Sequence, residues 1–437
     1  MSGERPVFGF WGLVGAVMVA LKLKEHYDDH YETLPGAEEE GLSRGPIALR
    51  TPNVDEDAQD GASLLDTELP SRPRRKRRDC CMCCGMRCGL FWKAFGIVCL
   101  LLVGWQAVKF AIWMATPKPT GLEGMPQFGT SLGCDSAPHF YRDGKFEVRV
   151  PVGQNQGRGD HSMDFRNGFG TVVIAQGDED LKDIKYEMTV RSDNQEYLDL
   201  IKLDVPTQQE IDSAEKESRL HLLMPSVRNA CIRYDVTVYL PTSVKTFHVM
   251  SHSVTQVKFD PDSNFNFNSL AVTMYNRGEK NMVLPTEGIH ATKSKLQMNE
   301  GYLVGDITLV NVVELVTQRG NATMNVRVHP APSSAETPAP ARLLTSSGAG
   351  RTDVRYVEHA APHRPIDATH HVSMRGELYL TYEDSAFNGT VEVEATSFSA
   401  KRLQNAFKED GGLPYVGSRD GADKMVVKTQ GWAGLYF

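Results

Sequence analysis

The amino-acid sequence predicts an all-β exported domain that follows one transmembrane helix and a disordered, acidic N-terminal tail. Three observations support this fold class. An apolar run extends from Gly89 to Ala115, six cationic side chains precede it, and short segments of alternating apolar and polar residues recur after Cys134. Alternation with a period of two is typical of β-strands that bury one face.

The chain begins with an apolar segment, residues 1–24, whose longest apolar stretch is residues 7–21. A helix of about fifteen residues is roughly 22 Å long, which is short for a hydrocarbon core of about 30 Å. The sequence leaves open whether this segment forms a second membrane helix. A cleaved signal peptide is the alternative, although no small-residue cleavage site precedes Lys22.

Residues 25–88 are predicted to form a disordered cytosolic tail. Between Glu25 and Glu68 there are thirteen acidic residues and two basic ones, and apolar residues are few. Such a segment cannot bury enough apolar surface to offset the entropy lost on ordering. Two short strings in the tail resemble the tyrosine-based and acidic-dileucine sorting signals read by endocytic adaptors. Their defining residues are Tyr31, Leu34, Asp60, Leu64 and Leu65.

The end of the tail combines a basic patch, residues 72–78, with a cluster of cysteines. The cluster consists of Cys80, Cys81, Cys83, Cys84 and Cys88. Each cation beside a membrane gains about 1 kcal/mol from anionic lipid, and cysteines in this setting are commonly S-palmitoylated. We therefore expect acylation of all five. Two overlapping C-x-x-C pairs also suggest zinc, but the thiols crowd one segment that lacks histidine, and inert thiols are the remaining alternative.

The apolar run 89–115 is predicted to be a transmembrane helix. Its 27 residues give a length of roughly 40 Å, enough to cross the membrane with a tilt. Because the basic patch precedes the run, the positive-inside rule keeps the N-terminus cytosolic and places the C-terminal part outside the cell or in a lumen. We expect a single-pass, signal-anchored protein of type II topology in the plasma membrane or an endomembrane, with residues 116–133 as a stalk.

Residues 134–437 are predicted to form one β domain, a β-solenoid (β-helix-like), with a β-sandwich as the alternative. The clearest alternating segments are 146–150, 184–190, 232–240, 303–309 and 324–328. One amphipathic helix, or else a charged loop, is expected at residues 208–218. Residues 330–371 are rich in Pro, Ala, Ser and Gly and are expected to be a disordered insertion.

Some residues of this domain have a predicted direction. The positions expected to face inward are Leu303, Ile307, Met324, Val326 and Val328. Gly301, Gly305 and Gly320 are expected at corners or close contacts, because glycine adopts positive φ without steric cost. Short strands of this kind cannot bury a face alone, but they can when they stack as successive coils.

Four residues of the exported part carry predicted covalent modifications. Asn321 and Asn388 begin the two N-glycosylation sequons of the chain. Cys134 and Cys231 are the two cysteines beyond the predicted span. In an oxidising compartment we expect these two to form a disulfide, with two separately buried thiols as the alternative.

Residues 301–309 (GYLVGDITL) and 315–328 (LVTQRGNATMNVRV) resemble the glycine-and-apolar repeat of auto-transporter-adhesin-like domains. Residues 381–398 resemble a later segment of that family, with its F-x-G turn at Phe387. These domains occur in bacteria and as C-terminal parts of fungal single-pass membrane proteins, whose overall plan this chain shares. The resemblance covers residues 241–437 and implies a β-solenoid-like fold without defined catalytic residues. The predicted insertion departs from the family pattern.

The sequence therefore predicts a non-catalytic, adhesin-like binding or scaffold protein without cofactor or metal. Its expected partners are membrane lipid and an unknown extracellular or luminal ligand, with no role for nucleic acid. Histidines between His329 and His371 are expected to be solvated rather than ligands of a metal. The alternatives are a carbohydrate-active enzyme on a β-helix, which needs paired carboxylates, and a vacuolar lipid- or partner-binding β-sandwich, which for lipid needs an apolar cavity.

Overall fold

The computed structural model describes residues 10–31, 82–83, 86–115, 120–153, 160–317, 321–333, 335, 338–357, 364–406 and 411–437. The chain divides into two compact units, Met1–Lys118 and Pro119–Phe437. The helices are α1 (Phe10–Tyr31), α2 (Cys88–Ala115), α3 (Gln195–Asp199) and α4 (Gln208–Asp212), and a short 3₁₀ helix lies at Thr130–Leu132.

The first unit contains α1, α2 and two short antiparallel strands, β1 (Met82–Cys83) and β2 (Met86–Arg87). Among the described residues, Phe91–Ile112 within α2 is the one stretch long and apolar enough to cross a membrane, with a mean hydropathy of 2.0. Helix α1 packs against α2 through Val14, which forms a buried cluster with Ala94 and Val98 of α2. Since α1 extends to Tyr31, the prediction that the disordered tail begins at residue 25 is wrong for residues 25–31.

The second unit is built from strands. The first group is β3 (His139–Val150), β4 (His161–Arg166), β5 (Phe169–Gln176), β6 (Ile184–Ser192), β7 (Lys202–Asp204), β8 (Arg219–Leu223) and β9 (Ile232–Leu240). The second group is β10 (Thr246–Ser251), β11 (Val254–Phe259), β12 (Phe265–Met274), β13 (Met282–Leu284), β14 (Ile289–Met298), β15 (Tyr302–Leu309), β16 (Val312–Thr317) and β17 (Thr323–Pro330). The third group is β18 (Ala341–Ser347), β19 (Thr352–Tyr356), β20 (Ile366–Val372), β21 (Glu377–Thr381), β22 (Gly389–Lys401), β23 (Tyr415–Val416) and β24 (Asp423–Tyr436).

Parallel pairing arranges most of these strands in two stacks. Stack 1 contains, in spatial order, β8, β4, β10, β12, β14, β16, β18, β20 and β24. Stack 2 contains β9, β5, β11, β13, β15, β17, β19, β21 and β24. Each coil of the chain contributes one strand to each stack, which is the arrangement of a β-solenoid. The predicted all-β class is confirmed, and its solenoid form is the one observed.

The two ends of the solenoid depart from simple chain order. At one end, the coil of β8 and β9 lies outside that of β4 and β5, and the antiparallel strands β7, β6 and β3 extend the sheet beyond it. At the other end, β24 pairs with β20 through its first half and with β21 through its second half. Strand β22 then pairs with β24 along both halves. Parallel strand edges at the first end are thus covered by antiparallel strands.

Alternate side chains from both stacks fill the interior. Leu303, Ile307, Met324, Val326 and Val328 are each at most 1% exposed, so their predicted inward direction is confirmed. The register places the inward residues of successive coils in columns; Val326 of β17, for example, lies opposite Val354 of β19. Burial of an aliphatic side chain of this size contributes about 1.5–3 kcal/mol, and repeated columns of such residues make one continuous core.

Two of the predicted corner glycines have the expected backbone. Gly301 has φ +118° and Gly305 has φ +147°. A Cβ atom at Gly301 would lie 2.2 Å from the carbonyl oxygen of Asn281, and one at Gly305 would lie 2.3 Å from that of Pro285. No side chain fits at either position, so both predictions are confirmed. Gly320 lies outside the described residues.

One local prediction is wrong, and another holds only in part. Residues 330–371 are not a disordered insertion, because they contain β18, β19 and β20, which continue both stacks. Their inward positions include small or hydroxyl-bearing residues such as Thr345 and Ser347, so the composition resembles that of a linker. Residues 208–218 are helical only in α4, a single turn closed by a capping box between Thr207 and Glu210.

Candidate binding surface

A strap, defined as residues 120–137, lies across the outer face of stack 2. Near its start, a Cβ atom at Gly121 would lie 2.9 Å from Cδ of Arg351, which precedes β19. Further along, the N–H of Gly129 donates to Oε1 of Gln256 on β11 at 2.6 Å, and the side-chain amide of Gln256 donates to Oγ of Ser131 at 2.9 Å. Gln256 is fully buried beneath the strap. The prediction of a stalk is therefore wrong for residues 120–133, which pack against the β domain.

The end of the strap is held by a disulfide and by a buried arginine. Cys134 and Cys231 are joined by a disulfide whose Cα atoms are 6.0 Å apart, within the usual range for such bonds. Arg233, which is 6% exposed, donates to the carbonyl oxygen of Gly133 at 2.7 Å and pairs with Asp135. Charge-assisted hydrogen bonds of this kind are roughly twice as strong as neutral ones. The strap is therefore fixed to the first coils at this end.

Beyond the start of the strap, the outer face of stack 2 carries an aromatic patch, defined as Tyr379, Trp432 and Tyr436 around Gly434. Gly434 lies directly opposite Tyr379 in the ladder between β21 and β24. A Cβ atom at Gly434 would lie 2.6 Å from Trp432 Cη2 and 3.0 Å from Tyr436 Cε2, so both rings lean over the glycine. The Tyr379 and Trp432 rings meet edge to face, with 4.9 Å between their centroids. The three half-buried aromatic side chains form a continuous surface.

Arg351 forms a charged edge to the aromatic patch. Its guanidinium carbon lies 3.8 Å from the centroid of the Tyr379 ring, a close cation–π contact. The same guanidinium donates to Asp353 Oδ2 at 3.3 Å and lies 3.7 Å from Glu377 Oε2. Glu377 also accepts a hydrogen bond of 3.3 Å from the Tyr379 hydroxyl. These contacts hold the planar polar groups in fixed positions beside the rings.

The electrostatics of this edge follow from burial. Burial raises the pKa of the Asp353 carboxyl, and the adjacent Arg351 opposes part of that rise. Burial also raises the pKa of the Tyr379 phenol, again against the effect of Arg351. Tyr379 therefore remains neutral at physiological pH and can donate its proton in a hydrogen bond. Glu377, whose side chain is 59% exposed, leaves a carboxylate accessible to a ligand.

The predicted modification sites are distributed over different parts of the chain. Asn321 and Asn388 are both exposed, before β17 and before β22. Asn388 Oδ1 accepts the N–H of Ser418 at 2.7 Å, which fixes its side chain at the domain surface. The structure brings Cys134 and Cys231 together in a disulfide, as described above.

The predicted acylation and sorting residues belong to the first part of the chain. Cys83 ends β1, Cys88 begins α2, and Tyr31 ends α1. The remaining predicted residues of these two groups lie outside the described residues. They are Cys80, Cys81, Cys84, Leu34, Asp60, Leu64 and Leu65.

Two further polar residues, His370 and Ser131, lie in hydrogen-bonded surroundings. His370, expected to be solvated, is fully buried in β20 and is hydrogen-bonded to Thr345 and Tyr382, so that prediction is wrong. Ser131 lies in a Gly-x-Ser-x-Gly string, residues 129–133, that forms a 3₁₀ turn of the strap. Its hydroxyl accepts from Gln256. Among the described residues, no group of three or more His, Cys, Asp or Glu side chains is arranged to hold a metal ion.

The sequence prediction did not identify the aromatic patch. One signal was present, since Trp432, Gly434 and Tyr436 alternate in a single strand and therefore share one face. The contribution of Tyr379 and Arg351 depends on the pairing of β21 with β24 and of β19 with β21. That pairing joins segments far apart in the chain, and no local pattern encodes it.

No family model matches the sequence, and no curated protein sequence matches it. The solved structures that are similar to parts of the chain include two proteins described as adhesion proteins. A structure described as a putative cell adhesion protein from Clostridium sporogenes has 14% identity and a TM-score of 0.18, and the match covers 67% of this chain and 99% of the other. One described as a putative adhesin from Bacteroides fragilis has 10% identity and a TM-score of 0.30, covering 69% and 98% respectively. At these values neither structure assigns a ligand or an activity to this chain.

Proposed function

We propose that this chain is a membrane-anchored, non-catalytic, adhesin-like protein that binds its ligand through the aromatic patch. The patch carries the proposal, because three aromatic rings and a stacked guanidinium lie together on the outer face of the domain. Trp, Tyr and Arg are the residue types that most often dominate binding energy at interfaces. The core fills the interior of the solenoid, which favours an outer face as the place for a ligand.

In this proposal α2 is the anchor. Its apolar segment Phe91–Ile112 matches the thickness of a bilayer, and the basic patch, residues 72–78, marks the cytosolic side. The β domain then faces the cell exterior or a lumen of the secretory pathway. The sequence resemblance of residues 241–437 to auto-transporter-adhesin-like domains of fungal single-pass proteins agrees with this plan.

The proposal is tested by a cell-attachment assay. Cells that express the full chain at their surface are mixed with target cells, and attached pairs are counted for the wild type and for Tyr379→Ala. We expect the variant to lower attachment by at least about tenfold, since it removes the ring that contacts both Trp432 and Arg351. Surface expression is measured in parallel to confirm that the variant is exported.

A matched control is Tyr275→Ala. Tyr275 is another exposed aromatic residue, stacked on His252 at 4.4 Å between ring centroids and remote from the patch in the ladder. We expect this variant to attach like the wild type. Equal attachment by Tyr379→Ala and wild type would contradict the proposed role of the patch.

Acylation of the juxtamembrane cysteines is a second part of the proposal. Acylation of these five thiols would place fatty chains beside a basic patch that already attracts anionic lipid. Replacement of Cys80, Cys81, Cys83, Cys84 and Cys88 by serine is expected to abolish metabolic labelling with a fatty-acid probe. Unchanged labelling would exclude these residues as acylation sites.

A further inference from the structure

We infer that the ligand of the aromatic patch is a carbohydrate, bound as one or two pyranose rings. This inference rests on the proposed function and names its ligand class. It follows from three properties of the patch: its size, the alternation of apolar and polar groups across it, and the fixed positions of those groups.

The size of the patch comes from the sheet itself. Three parallel strands, β21, β24 and β22, place their outward side chains in rows of three. The rows are Glu377–Trp432–Ser397, Tyr379–Gly434–Ser399 and Thr381–Tyr436–Lys401. Strand spacing of about 4.8 Å and a rise of about 3.3 Å per residue give a surface of roughly 10 by 13 Å. The projected area of this grid, roughly 130 Å², is several times smaller than the accessible area of about 800 Å² that each partner of a stable protein interface buries.

The chemistry of the patch matches the two kinds of surface that a sugar presents. One face of a pyranose ring exposes C–H groups, which pack on the faces of aromatic rings such as Trp432 and Tyr436. The hydroxyl groups around its edge need paired donors and acceptors, since an unpaired polar group is costly when it loses water. The patch supplies an exposed carboxylate at Glu377 and hydroxyls at Ser397 and Ser399, which are exposed on β22.

The polar edge is already ordered before any ligand arrives. Arg351 is stacked on Tyr379 and lies between Asp353 and Glu377, and its side chain is only 15% exposed. The strap closes the opposite side of this arginine at Gly121. Ordered side chains lose little further entropy on binding, which favours a small ligand with few contacts. A protein partner would instead need an apolar area several times larger than the patch.

The experiment measures binding of the full-length protein, in detergent or nanodiscs, to an array of immobilised pyranose mono- and disaccharides. We expect the wild type to bind at least one sugar and Glu377→Gln to weaken that binding by about tenfold, since an ionised acceptor is replaced by a neutral one. The matched control is Glu394→Gln. Glu394 is an equally exposed carboxylate on β22 that pairs with Lys428, with 57% of its side chain exposed.

The outcomes separate this inference from the proposed function. Binding that is weakened by Glu377→Gln and unchanged by Glu394→Gln supports a carbohydrate site at the patch. The carbohydrate inference is overturned if both variants retain sugar binding. It is also overturned if the protein binds no sugar while cell attachment still depends on Tyr379. In either case the patch remains a site for a ligand of another class. If Tyr379→Ala keeps both the attachment and the sugar binding of the wild type, the proposed function is overturned as well.

Discussion

His370 and Tyr382 form a hydrogen-bonded pair inside the last coils of the solenoid, with 3.0 Å between Nε2 and the phenolic oxygen. The other ring nitrogen of His370 lies 2.8 Å from the hydroxyl of Thr345. A second pair, His161 with Tyr186, occupies the first coils. Burial lowers the pKa of both histidines to about 3. Each end of the solenoid therefore encloses a neutral imidazole.

These pairs predict that the domain loses stability in acid. The unfolded chain binds a proton at each histidine below about pH 6.5, whereas the folded chain binds it only near pH 3. Because the unfolded state holds more protons in this window, stability falls as the pH drops, by about 2 kcal/mol per histidine at pH 5. Urea unfolding at pH 7 and pH 5 measures this difference.

The variant His370→Gln isolates one of the two pairs. It removes the titrating group, so the loss of unfolding free energy between pH 7 and pH 5 is expected to shrink by about 2 kcal/mol. His371→Gln is the control, since His371 is the exposed neighbour on the same strand. An undiminished pH dependence in His370→Gln would show that the buried imidazole is not responsible.

The inward and outward positions of β17 predict opposite effects of truncation. Val326 is 1% exposed, whereas the side chain of Arg327 is 60% exposed and pairs with Asp306 at 2.7 Å. Val326→Ala is expected to cost about 1–3 kcal/mol through lost burial and a cavity, and Arg327→Ala at most about 1 kcal/mol. Chemical unfolding of the two variants compares them directly, and equal losses would contradict the register of β17.

The disulfide at the end of the strap is expected to stabilise the domain by closing a long loop. Cys134 and Cys231 are 97 residues apart, and removal of a bond over such a loop typically costs about 2–5 kcal/mol. The double variant Cys134→Ser/Cys231→Ser should therefore unfold at lower urea concentration. Cys99→Ser serves as the control, since Cys99 is a free thiol in α2. Unfolding at the same urea concentration in both variants would show that the disulfide adds nothing to the stability of the domain.

The sequence predicts the regular part of the fold because its physical signal is local. Val326 and Val328 alternate with polar residues, and Gly301 must be glycine because a side chain would meet the Asn281 carbonyl. Strands β18 to β20 were not predicted, because small, hydroxyl or imidazole side chains take the place of apolar ones at inward positions such as Thr345 and His370. Their burial depends on partners from neighbouring coils, which composition does not reveal.

The strap and the aromatic patch were harder to predict for the same reason. Gln256 and Arg233 resemble ordinary polar strand residues in the sequence. In the structure both are buried beneath the strap, where Gln256 contacts a residue 127 positions earlier in the chain and Arg233 contacts one 100 positions earlier. Tyr379 becomes part of the patch only because β24 returns beside β21. Both sites depend on long-range pairing, which the period of a single strand does not determine.

In the proposed topology the β domain lies across a membrane from the N-terminal tail, where the aromatic patch can meet a ligand. The most direct test of this topology is protease treatment of sealed microsomal vesicles from cells that express the chain with a tag at each end, followed by glycosidase digestion. We predict that the C-terminal tag survives the protease, that the N-terminal tag is removed, and that glycosidase increases mobility unless Asn321 and Asn388 are both replaced by glutamine. Loss of the C-terminal tag from intact vesicles, with no change in mobility, would contradict this topology.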